Sequence, residues 1–268
     1  MNANDLKIAA ITGANGTLGL AFTRGLAAAG YRVYMLVRSL GKSQALADQM
    51  VAEGLDVRVI ACDVLQRPGV EKALAELLAD AGQVDVLLNC AGGNQAGAVV
   101  MPDADTFDVS VEALRQVIDL NLMGTMIPAF VFAKAMAKQK TGCIVNISSM
   151  AATQPMTRVV GYAAAKSGID NFTRWLAVEL AMKYGEGLRV NAIAPGFFLA
   201  EQNRSLLTNP DGSLTSRGET IVSQTPANRF GKPEELVSTL LYLCDPASSF
   251  VNGIVVPVDG GFSAFSGV

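Results

Sequence analysis

The sequence predicts a single α/β domain in which helices cover both faces of a mainly parallel, seven-stranded sheet. Short apolar segments alternate with longer segments of helical periodicity, which is typical of doubly wound folds. The apolar segments are almost continuously hydrophobic, as expected for parallel strands that are covered on both faces. Two of the helical segments, LGLAFTRGLAAAG and PGVEKALAELLADAG, end at glycine, the usual residue beyond a helix C-terminus.

Seven segments carry the strand pattern. The first, KIAAIT, leads directly into a glycine-rich turn, and the last, GIVVPV, lies close to the C-terminus. Segments with helical spacing lie between them. We expect strands at 7–12, 32–37, 56–61, 84–89, 142–148, 188–194 and 253–258.

Two irregular segments interrupt this alternation. Residues 92–110 follow the fourth strand, and residues 197–226, which contain the turn sequence NPDG, follow the sixth. Ligands of open α/β sheets bind outside the carboxyl ends of the strands. We therefore expect one domain over residues 1–268, in which these two cover segments, near 92–110 and 197–226, lie over a substrate.

Composition and charge exclude several classes of partner. The formal net charge of −3 gives no electrostatic reason to expect nucleic acid or an anionic membrane. The N-terminal residues lack a basic stretch followed by an apolar core, and no run of about 18 apolar residues occurs. The four cysteines are scattered without a CxxC pair, as in a reducing compartment. These observations predict a cytoplasmic protein with no membrane segment.

The chain contains no histidine, which excludes a Ser-His-Asp triad and any histidine-ligated zinc. We expect no metal site, and proton transfer must use another side chain. Tyr162 and Lys166 lie four residues apart in GYAAAKSGIDNF and would share one helix face. A free phenol has a pKa of about 10. A neighbouring ammonium lowers that pKa and favours the ionised phenol.

The turn ITGANGTLG, after the first strand, is a candidate phosphate site. Gly13, Gly16 and Gly19 allow a sharp turn and bring backbone N–H groups close to a pyrophosphate at a helix N-terminus. A tight strand-to-helix turn with no ligand is the alternative interpretation. The position at the first strand of a βαβ unit favours a dinucleotide and a Rossmann-type fold. The candidate contacts of this turn are Gly13, Asn15, Gly16, Thr17, Leu18 and Gly19.

The second strand ends in LVRSLGK, where the ribose of a dinucleotide would lie. Val37 stands where an acid would bind the 2′-hydroxyl of NAD, and Arg38, Ser39 and Lys42 follow it. A guanidinium pairs well with a 2′-phosphate, so NADP(H) is the expected cofactor and NAD(H) the second choice. A solvated basic rim is the alternative.

The third strand ends in ACDV, where the adenine would lie. Asp63 is a candidate partner of the adenine amino group, and Val64 would cover the ring. An Asp at the end of a strand is also a common helix cap, and that interpretation of Asp63 stays open.

Seven motifs occur in one order along the chain. The tyrosine motif YAAAK follows a serine, Ser149, by 13 residues, and Asn121 lies on the preceding helix. In this set the sequence resembles the short-chain dehydrogenase/reductase family across nearly its whole length. The motifs are TGANGTLG, NCAG (89–92), DLNLMGT, NISS (146–149), YAAAK (162–166), NAIAPG (191–196) and VDGG (258–261).

The resemblance implies a catalytic set of four residues. Tyr162 would exchange a proton with the substrate oxygen, and Ser149 would bond the same oxygen. Lys166 would assist the phenol and bond the nicotinamide ribose, and Asn121 would hold a water near Lys166. Taken singly, each has a structural alternative: Ser149 as a helix cap, Asn121 in a helix irregularity, and Lys166 at the surface.

The resemblance also implies cofactor contacts after the fourth and sixth strands. These candidates are Asn89, Ala91, Gly92, Pro195, Gly196 and Phe198. The chain departs from the family pattern at two places. Thr17 stands where the glycine turn usually has its middle glycine, and Ala200 stands where a threonine often contacts the carboxamide.

Finer motifs, such as APGFFLAEQNR and TPANRFGKPEEL, resemble the D-mannonate oxidoreductase (fructuronate reductase) branch of the family. This implies hydride transfer at the keto or alcohol group of a hexuronate, a small sugar acid. A carboxylate with several hydroxyls needs a cation and amide partners. The candidate substrate residues are Asn94, Gln95, Ser149, Arg158 and Arg204. For each arginine, a surface salt bridge is the alternative.

Three other functions stay open at this point. A related reductase could act on gluconate or another polyol, or on a 3-oxoacyl thioester. A catalytically idle dinucleotide-binding scaffold or sensor is a candidate from another class. The resemblance also implies a homotetramer or homodimer that assembles through the long helices near 110–138 and 160–184.

Overall fold

Seven strands form one sheet whose order is β3-β2-β1-β4-β5-β6-β7, and every neighbouring pair is parallel. The structure, a computed structural model, describes residues 6–267, so residues 1–5 and 268 of the predicted domain lie outside it. The strands are β1 (Lys7–Thr12), β2 (Tyr31–Val37), β3 (Val57–Ala61), β4 (Val86–Asn89), β5 (Gly142–Ile147), β6 (Leu188–Pro195) and β7 (Val255–Val258). All seven predicted strands are confirmed.

Helices connect the strands and cover both faces of the sheet. They are α1 (Thr17–Ala28), α2 (Leu40–Ala52), α3 (Arg67–Ala81), α4 (Val111–Ile118), α5 (Gly124–Gln139), α6 (Val160–Tyr184), α7 (Glu201–Leu207), α8 (Ser216–Ser223) and α9 (Val237–Cys244). The predicted doubly wound, Rossmann-type fold is therefore confirmed, as a single domain.

The two faces of the sheet hold separate hydrophobic layers. On one face Leu87 of β4 packs in a layer with Phe132 of α5 and Leu176 of α6. On the other face the next residue, Leu88, packs in a layer with Phe22 of α1 and Leu240 of α9. All six side chains are almost fully buried. Successive strand residues thus point to opposite layers, which explains why the strands are apolar throughout.

The chain reverses direction across the sheet at β1, which pairs with β2 on one side and with β4 on the other. The register places Thr12, the last residue of β1, beside Asn89, the last residue of β4. The carboxyl ends of these two strands diverge into their connections on opposite faces. A crevice forms at such a switch point, and this one positions the site described below.

Helices α4 and α5 form one continuous helical stretch through a π-helical turn, Asp119–Met123. Among the described residues, Val111–Gln139 is long and apolar enough to cross a membrane by length and composition. Half of its most apolar window is buried inside the protein, however, and α5 packs on α3, β4 and β5. The stretch is therefore positioned as a core helix of the α/β fold.

The cover segments contain short helical elements. Residues 92–110 include two single-turn helices, Ala96–Ala98 and Thr106–Asp108. Residues 197–226 include α7 and α8, which contact each other. The predicted NPDG turn joins them, with Gly212 N–H donating to the Asn209 carbonyl at 3.0 Å.

Candidate active site

A cleft of about 850 Å³ opens at the carboxyl ends of β1 and β4. It is large enough for a cofactor or drug-sized ligand. Its wall includes the turn between β1 and α1, the end of β2, the loop after β4 and the first turn of α6. The predicted residues on this wall are Gly13, Asn15, Gly16, Thr17, Leu18, Gly19, Arg38, Ser39, Val64, Ala91, Gly92, Asn121, Tyr162 and Lys166.

The glycine turn is folded so tightly that side chains would not fit. Gly13 has a φ of 62°, in the left-handed region, and a Cβ there would lie 2.7 Å from Ala91 Cα. A Cβ on Gly19 would lie 2.4 Å from the carbonyl oxygen of Gly13. The missing side chains leave the start of α1 open toward the cleft. The turn can therefore receive a pyrophosphate at a helix N-terminus, as the sequence predicted.

Thr12 ties this turn to the loop after β4. Its Oγ1 accepts hydrogen bonds from the backbone N–H groups of Cys90 and Ala91, both at 3.1 Å. The same loop brings Gly92 against Asn121, since a Cβ on Gly92 would lie 2.6 Å from Asn121 Oδ1. The two loops that would hold a dinucleotide are thus fixed to each other through one buried hydroxyl.

The basic rim after β2 is only partly in the cleft. Arg38 and Ser39 are exposed and lie on the wall, whereas Lys42 is exposed in α2 and lies off the wall. Among the side chains that the structure describes, which exclude those of residues 201 and 202, no carboxylate lies within 4 Å of the Arg38 guanidinium. Arg38 is therefore available to a phosphate.

Five further predicted cofactor residues lie off the cleft wall. Asp63 Oδ1 accepts from Leu65 N–H at 3.0 Å in the turn before α3. The N-cap residue of α3 is Gln66, so the helix-cap interpretation of Asp63 is wrong. Asn89 is buried between strands. The other three, Pro195, Gly196 and Phe198, lie at the end of β6 or just after it. Gly196 N–H donates to the Val258 carbonyl at 3.0 Å, and Phe198 packs in the core.

Tyr162 lies in the first turn of α6 and lines the cleft. Burial raises the pKa of its phenol, and the hydrogen bond with the Ser149 hydroxyl opposes that rise. The sequence predicted a pKa lowered by Lys166, but desolvation of the phenol outweighs the stabilising hydrogen bond and the pKa is raised. The phenol is consequently protonated at neutral pH and able to donate a proton.

Ser149 precedes a single-turn helix, Met150–Ala152, and its Oγ accepts from Ala151 N–H at 3.1 Å. The capping interpretation of Ser149 is therefore correct, and the contact with Tyr162 exists beside it. A hydroxyl has one proton and two lone pairs, so it can accept from the backbone and still donate into the cleft. The helix cap fixes the direction of that donor.

Lys166 is buried, not a surface lysine. Its Nζ donates to the Ile147 carbonyl at 2.7 Å and lies 5.4 Å from the centre of the Tyr162 ring. Burial lowers the pKa of Lys166 to about 8, while the nearby Cys90 and Asp170 act in the opposite direction. A cation is thus held one helical turn from the phenol, and its charge is sensitive to pH near neutrality.

Asn121 lies in the π-helical turn, which is the helix irregularity that its surroundings suggested. Its Nδ2 donates to the carbonyls of Gly93 (2.7 Å) and Val117 (2.8 Å), and its Oδ1 accepts from Gly93 N–H. The side chain is fully buried. In a π turn the ordinary hydrogen bonding of the helix is interrupted, so the amide can join the helix to the loop after β4.

A buried chain of polar side chains joins the sheet to α6. Asn89 Nδ2 donates to Asn146 Oδ1, and Asn146 Nδ2 donates to Thr173 Oγ1, both at 2.9 Å. Nearby, Ser148 donates to Asp170, also on α6. Asn89 Oδ1 is buried without a hydrogen-bond partner. These contacts fix the helix that carries Tyr162 and Lys166 against the ends of β4 and β5.

The predicted substrate residues have different environments. Asn94 and Gln95 are exposed on the loop after β4, and Arg204 is exposed on α7. Arg158 is half-buried immediately before α6, and the structure adds Arg217 of α8, which reaches the same stretch. Arg229 instead forms a surface ion pair with Glu235 at 2.6 Å, as the sequence suggested for a structural contact.

Some wall residues were missed by the sequence analysis. Cys62 and Cys90 lie in the ACDV and NCAG motifs but were given no role. The residues that precede α7 and α9 come from distant parts of the chain. The missed residues include Cys62, Cys90, Gly93, Ile147, Ala200, Pro233 and Glu234. The register of β3 and β4 would have indicated the two cysteines, because they follow strand ends beside the glycine turn.

The geometry of the cleft is by itself suited to a dinucleotide. At Gly13 and Gly19 the turn packs backbone against backbone, where a Cβ would not fit. The turn leads directly into the N-terminus of α1 on the cleft wall, and a helix N-terminus favours phosphate. Tyr162 lies at the other end of the same cleft, and Ser149, which is not on the cleft wall, contacts its phenol. Among the side chains that the structure describes, no cluster of metal-ligating groups occurs.

Comparisons with known proteins agree with this geometry. The family model for short chain dehydrogenase matches residues 7–211. An uncharacterized oxidoreductase, UxuB, of Bacillus subtilis is 46% identical over 98% of this chain and 96% of its own length. A solved structure from Haemophilus influenzae, provisionally assigned as a D-mannonate oxidoreductase with bound NAD, is 38% identical with a TM-score of 0.91 over 99% of both chains.

A third relative has a different substrate name. The solved structure of a gluconate 5-dehydrogenase from Burkholderia cenocepacia, in complex with NADP and tartrate, is 30% identical. It matches 97% of this chain and 96% of its own with a TM-score of 0.85.

Proposed function

Since the chain belongs to the short-chain dehydrogenase family and is an NAD(P)-binding oxidoreductase, we propose that it transfers hydride at the keto or alcohol group of a hexuronate. The observation that carries the proposal is the pairing of the Tyr162 phenol with Ser149 beside the buried cation of Lys166, at one end of the dinucleotide cleft. We therefore propose all four predicted residues, Asn121, Ser149, Tyr162 and Lys166, as the catalytic set.

In the reducing direction, Ser149 and Tyr162 bond the substrate carbonyl oxygen together. The nicotinamide cofactor supplies the hydride when bound. As negative charge develops on the oxygen, Tyr162 gives it a proton and Ser149 stabilises it through its hydrogen bond. Ser149 has no neighbouring base that would make it a nucleophile, so its role is to position the oxygen.

Lys166 and Asn121 support that proton transfer. The ammonium of Lys166 lies beside the Tyr162 ring and favours the phenolate that remains after the proton has left. Lys166 is also the residue that would bond the nicotinamide ribose. Asn121, held between the π turn and Gly93, would keep a water near Lys166 through which the proton is replaced.

NADP(H) is the proposed preferred cofactor, with NAD(H) as the second. Arg38 follows β2 where a 2′-phosphate would lie and has no acidic partner among the described side chains, while Val37 stands in the place of the acid that would favour NAD. The Haemophilus relative contains NAD and the Burkholderia relative contains NADP, so both cofactors occur among similar structures.

The hexuronate assignment is supported by the name of the Haemophilus relative and by the unpaired arginines near Tyr162. A gluconate-type sugar acid is the second candidate, favoured by the Burkholderia relative. Both substrates carry a carboxylate four carbon–carbon bonds from the reacting carbon, and they differ in the configuration of the hydroxyl-bearing carbons between them. The cover segments at 92–110 and 197–226 would decide between them, because they lie over the open end of the cleft.

The proposed assembly is a homotetramer or homodimer in the cytoplasm, without nucleic-acid or membrane partners. Aromatic side chains on the outer faces of α5 and α6 support this assembly. Phe130 and Trp175 pack edge to face at 6.2 Å, and both are more than a third exposed. Val178 and Met182 extend the apolar surface along α6. A second copy of the chain would cover it.

The test has two parts. NADPH and NADH are screened with D-fructuronate, D-tagaturonate, 5-ketogluconate and an acetoacetyl thioester. Tyr162→Phe is expected to lower kcat about a thousandfold or more on the accepted substrate, and to leave the cofactor Kd within about twofold. Near-normal turnover by this variant would refute the mechanism, and acceptance of the thioester alone would refute the substrate class. Cofactor binding without turnover of any substrate would favour the idle scaffold.

A further inference from the structure

Two arginines from different elements approach each other beside the active-site helix. Arg158 lies four residues before Tyr162, and Arg217 lies in the first turn of α8. Arg217 Nη1 donates to Thr157 Oγ1 at 3.4 Å, which brings the cover segment 197–226 onto the residues that lead into α6. The two guanidiniums thus converge although 59 residues separate them along the chain.

Among the side chains that the structure describes, which exclude those of residues 201 and 202, neither guanidinium has an acidic partner within 4 Å. Both arginine side chains are half-buried. Burial lowers the pKa of Arg217, and the positive charge of Arg158 lowers it further. Two like charges that are partly desolvated together, without a counter-ion, repel each other unless an anion lies between them.

The backbone at Arg158 is also unusual. Its φ is 77°, in the left-handed region that non-glycine residues rarely adopt. The Arg158 carbonyl accepts from Val100 N–H at 3.0 Å, a contact with the other cover segment, 92–110. Such strained residues cluster at ligand sites, where the surroundings hold them in place. Arg158 therefore lies where both cover segments meet the start of α6.

We propose that Arg158 and Arg217 together bind the carboxylate of the sugar-acid substrate, and so orient its keto carbon toward Tyr162. This inference rests on the proposed function. A guanidinium pairs with a carboxylate through two parallel N–H···O bonds, and a carboxylate has lone pairs enough for two such partners. In a hexuronate, four carbon–carbon bonds separate the keto carbon from the carboxyl carbon, a reach of about 5 Å.

The geometry favours these two residues over Arg204. Arg204 is exposed on α7, where an ion pair gains little in free energy against water. Arg158 and Arg217 come from two different elements, the stretch before α6 and helix α8. Both are partly shielded from water, which strengthens their attraction for an anion. An acidic carrier protein would be the other kind of anion, and it would require cations on an open surface.

The experiment compares D-mannonate with D-mannonamide in the oxidising direction with NADP⁺. The amide has the same carbon chain and lacks the charge. For Arg158→Gln and for Arg217→Gln, we expect kcat/KM for D-mannonate to fall roughly ten- to hundredfold, mainly through KM. Activity with the amide, which is low in the parent protein, should change less than threefold. The selectivity for the acid is then lost.

The matched control is Arg58→Gln, because Arg58 lies near the amino end of β3 in a surface ion-pair cluster. It should leave both substrates unaffected. The cofactor Kd and the Tm of each variant report whether the fold is intact. In the parent protein KM for D-mannonate should also rise with ionic strength, and this dependence should vanish in the double variant.

Failure of the inference differs from failure of the proposed function. If the parent oxidises D-mannonate and both arginine variants keep its kcat/KM, the carboxylate site is refuted and the function stands. If Arg204→Gln alone abolishes the selectivity, the site lies on α7 and the inference is wrong. If the parent reduces only 5-ketogluconate, the same variants are tested on that acid. If it accepts no carboxylate, or acts only on a carrier-bound thioester, both are overturned.

Discussion

The cofactor end and the substrate end of the cleft are built in opposite ways. At the cofactor end, backbone packs on backbone: Gly13 lies against Ala91, Gly19 against Gly13, and one threonine hydroxyl joins the two loops. At the substrate end, exposed loops and two short helices bring long charged side chains toward α6. The first arrangement tolerates almost no change, whereas the second can vary without disturbing the sheet.

This difference explains how one family handles many substrates. The residues that we propose for proton transfer belong to α6 and to the stretch after β5. The hydrogen bonds of Asn89, Asn146 and Thr173 fix α6 to the sheet. The residues that we propose for substrate binding belong to segments with few such ties. Chemistry is therefore determined by the rigid part of the molecule and specificity by the variable part.

The largest effect is expected for Gly19→Ala. The new Cβ would lie 2.4 Å from the Gly13 carbonyl oxygen and 2.7 Å from Ala14 Cα, both of which are backbone atoms that cannot move aside. We expect the cofactor Kd to rise at least a hundredfold, measured by titration of NADPH fluorescence. A Kd within threefold of the parent would contradict the claim that this end is closed to change.

A smaller loss is expected at the rim of the cofactor end. For Arg38→Gln, kcat/KM with NADPH should fall about ten- to hundredfold, because a charge-assisted contact with the 2′-phosphate is lost. The value with NADH should change less than twofold. Lys42→Gln, off the cleft wall, is the comparison and should have a smaller effect. Equal losses with both cofactors would contradict the assignment of Arg38.

The dependence of the reduction and oxidation rates on pH tests the proposed roles of Tyr162 and Lys166. The buried phenol keeps its proton at neutral pH, and Lys166 loses its charge as pH rises through about 8. Reduction should therefore decline above about pH 8, approaching tenfold per pH unit, while oxidation, which needs the phenolate, should increase between pH 7 and 8.

Lys166→Arg is the control for this profile. Arginine stays charged throughout the range, so the decline of reduction near pH 8 should disappear from the normalised curve even where total activity is lower. A parent profile that remains flat up to pH 9 would contradict the role given to the Lys166 charge.

The smallest effect is expected for Gly212→Ala in the cover segment 197–226. A Cβ there meets no atom within 4 Å, although the φ of 86° costs an alanine about 1 kcal/mol. The cofactor Kd and the global Tm should hardly change, within twofold and about 2 °C, and only KM for the sugar acid should increase modestly. A loss comparable to that of Gly19→Ala would abolish the contrast between the two ends.

Local patterns made much of this structure predictable. The strands were found because buried parallel strands are apolar on both faces, and the glycine turn because only glycine fits it. Tyr162 and Lys166 were found because positions i and i+4 share a helix face. In each case the physical reason acts over a few neighbouring residues, so the sequence displays it directly.

Features that depend on distant partners were not predictable. Arg217 looks like an ordinary surface arginine until folding brings it to Thr157, 60 residues away. The raised pKa of Tyr162 depends on burial that no local pattern encodes. Lys42 and Arg38 look equivalent in LVRSLGK, yet the direction in which α2 begins puts only one of them on the cleft wall.

The polar chain between the sheet and α6 has a consequence for how the enzyme matures. Asn146 needs Asn89 on one side and Thr173 on the other, so neither pairing is complete until three separate stretches have docked. Burying a side-chain amide without its hydrogen-bond partners costs free energy of folding. Folding intermediates in which only two of the three stretches have docked therefore gain little stability from this region. We expect nascent chains that end before α6 to be unable to hold nucleotide, so that ligand capture begins only after most of the polypeptide has been synthesised.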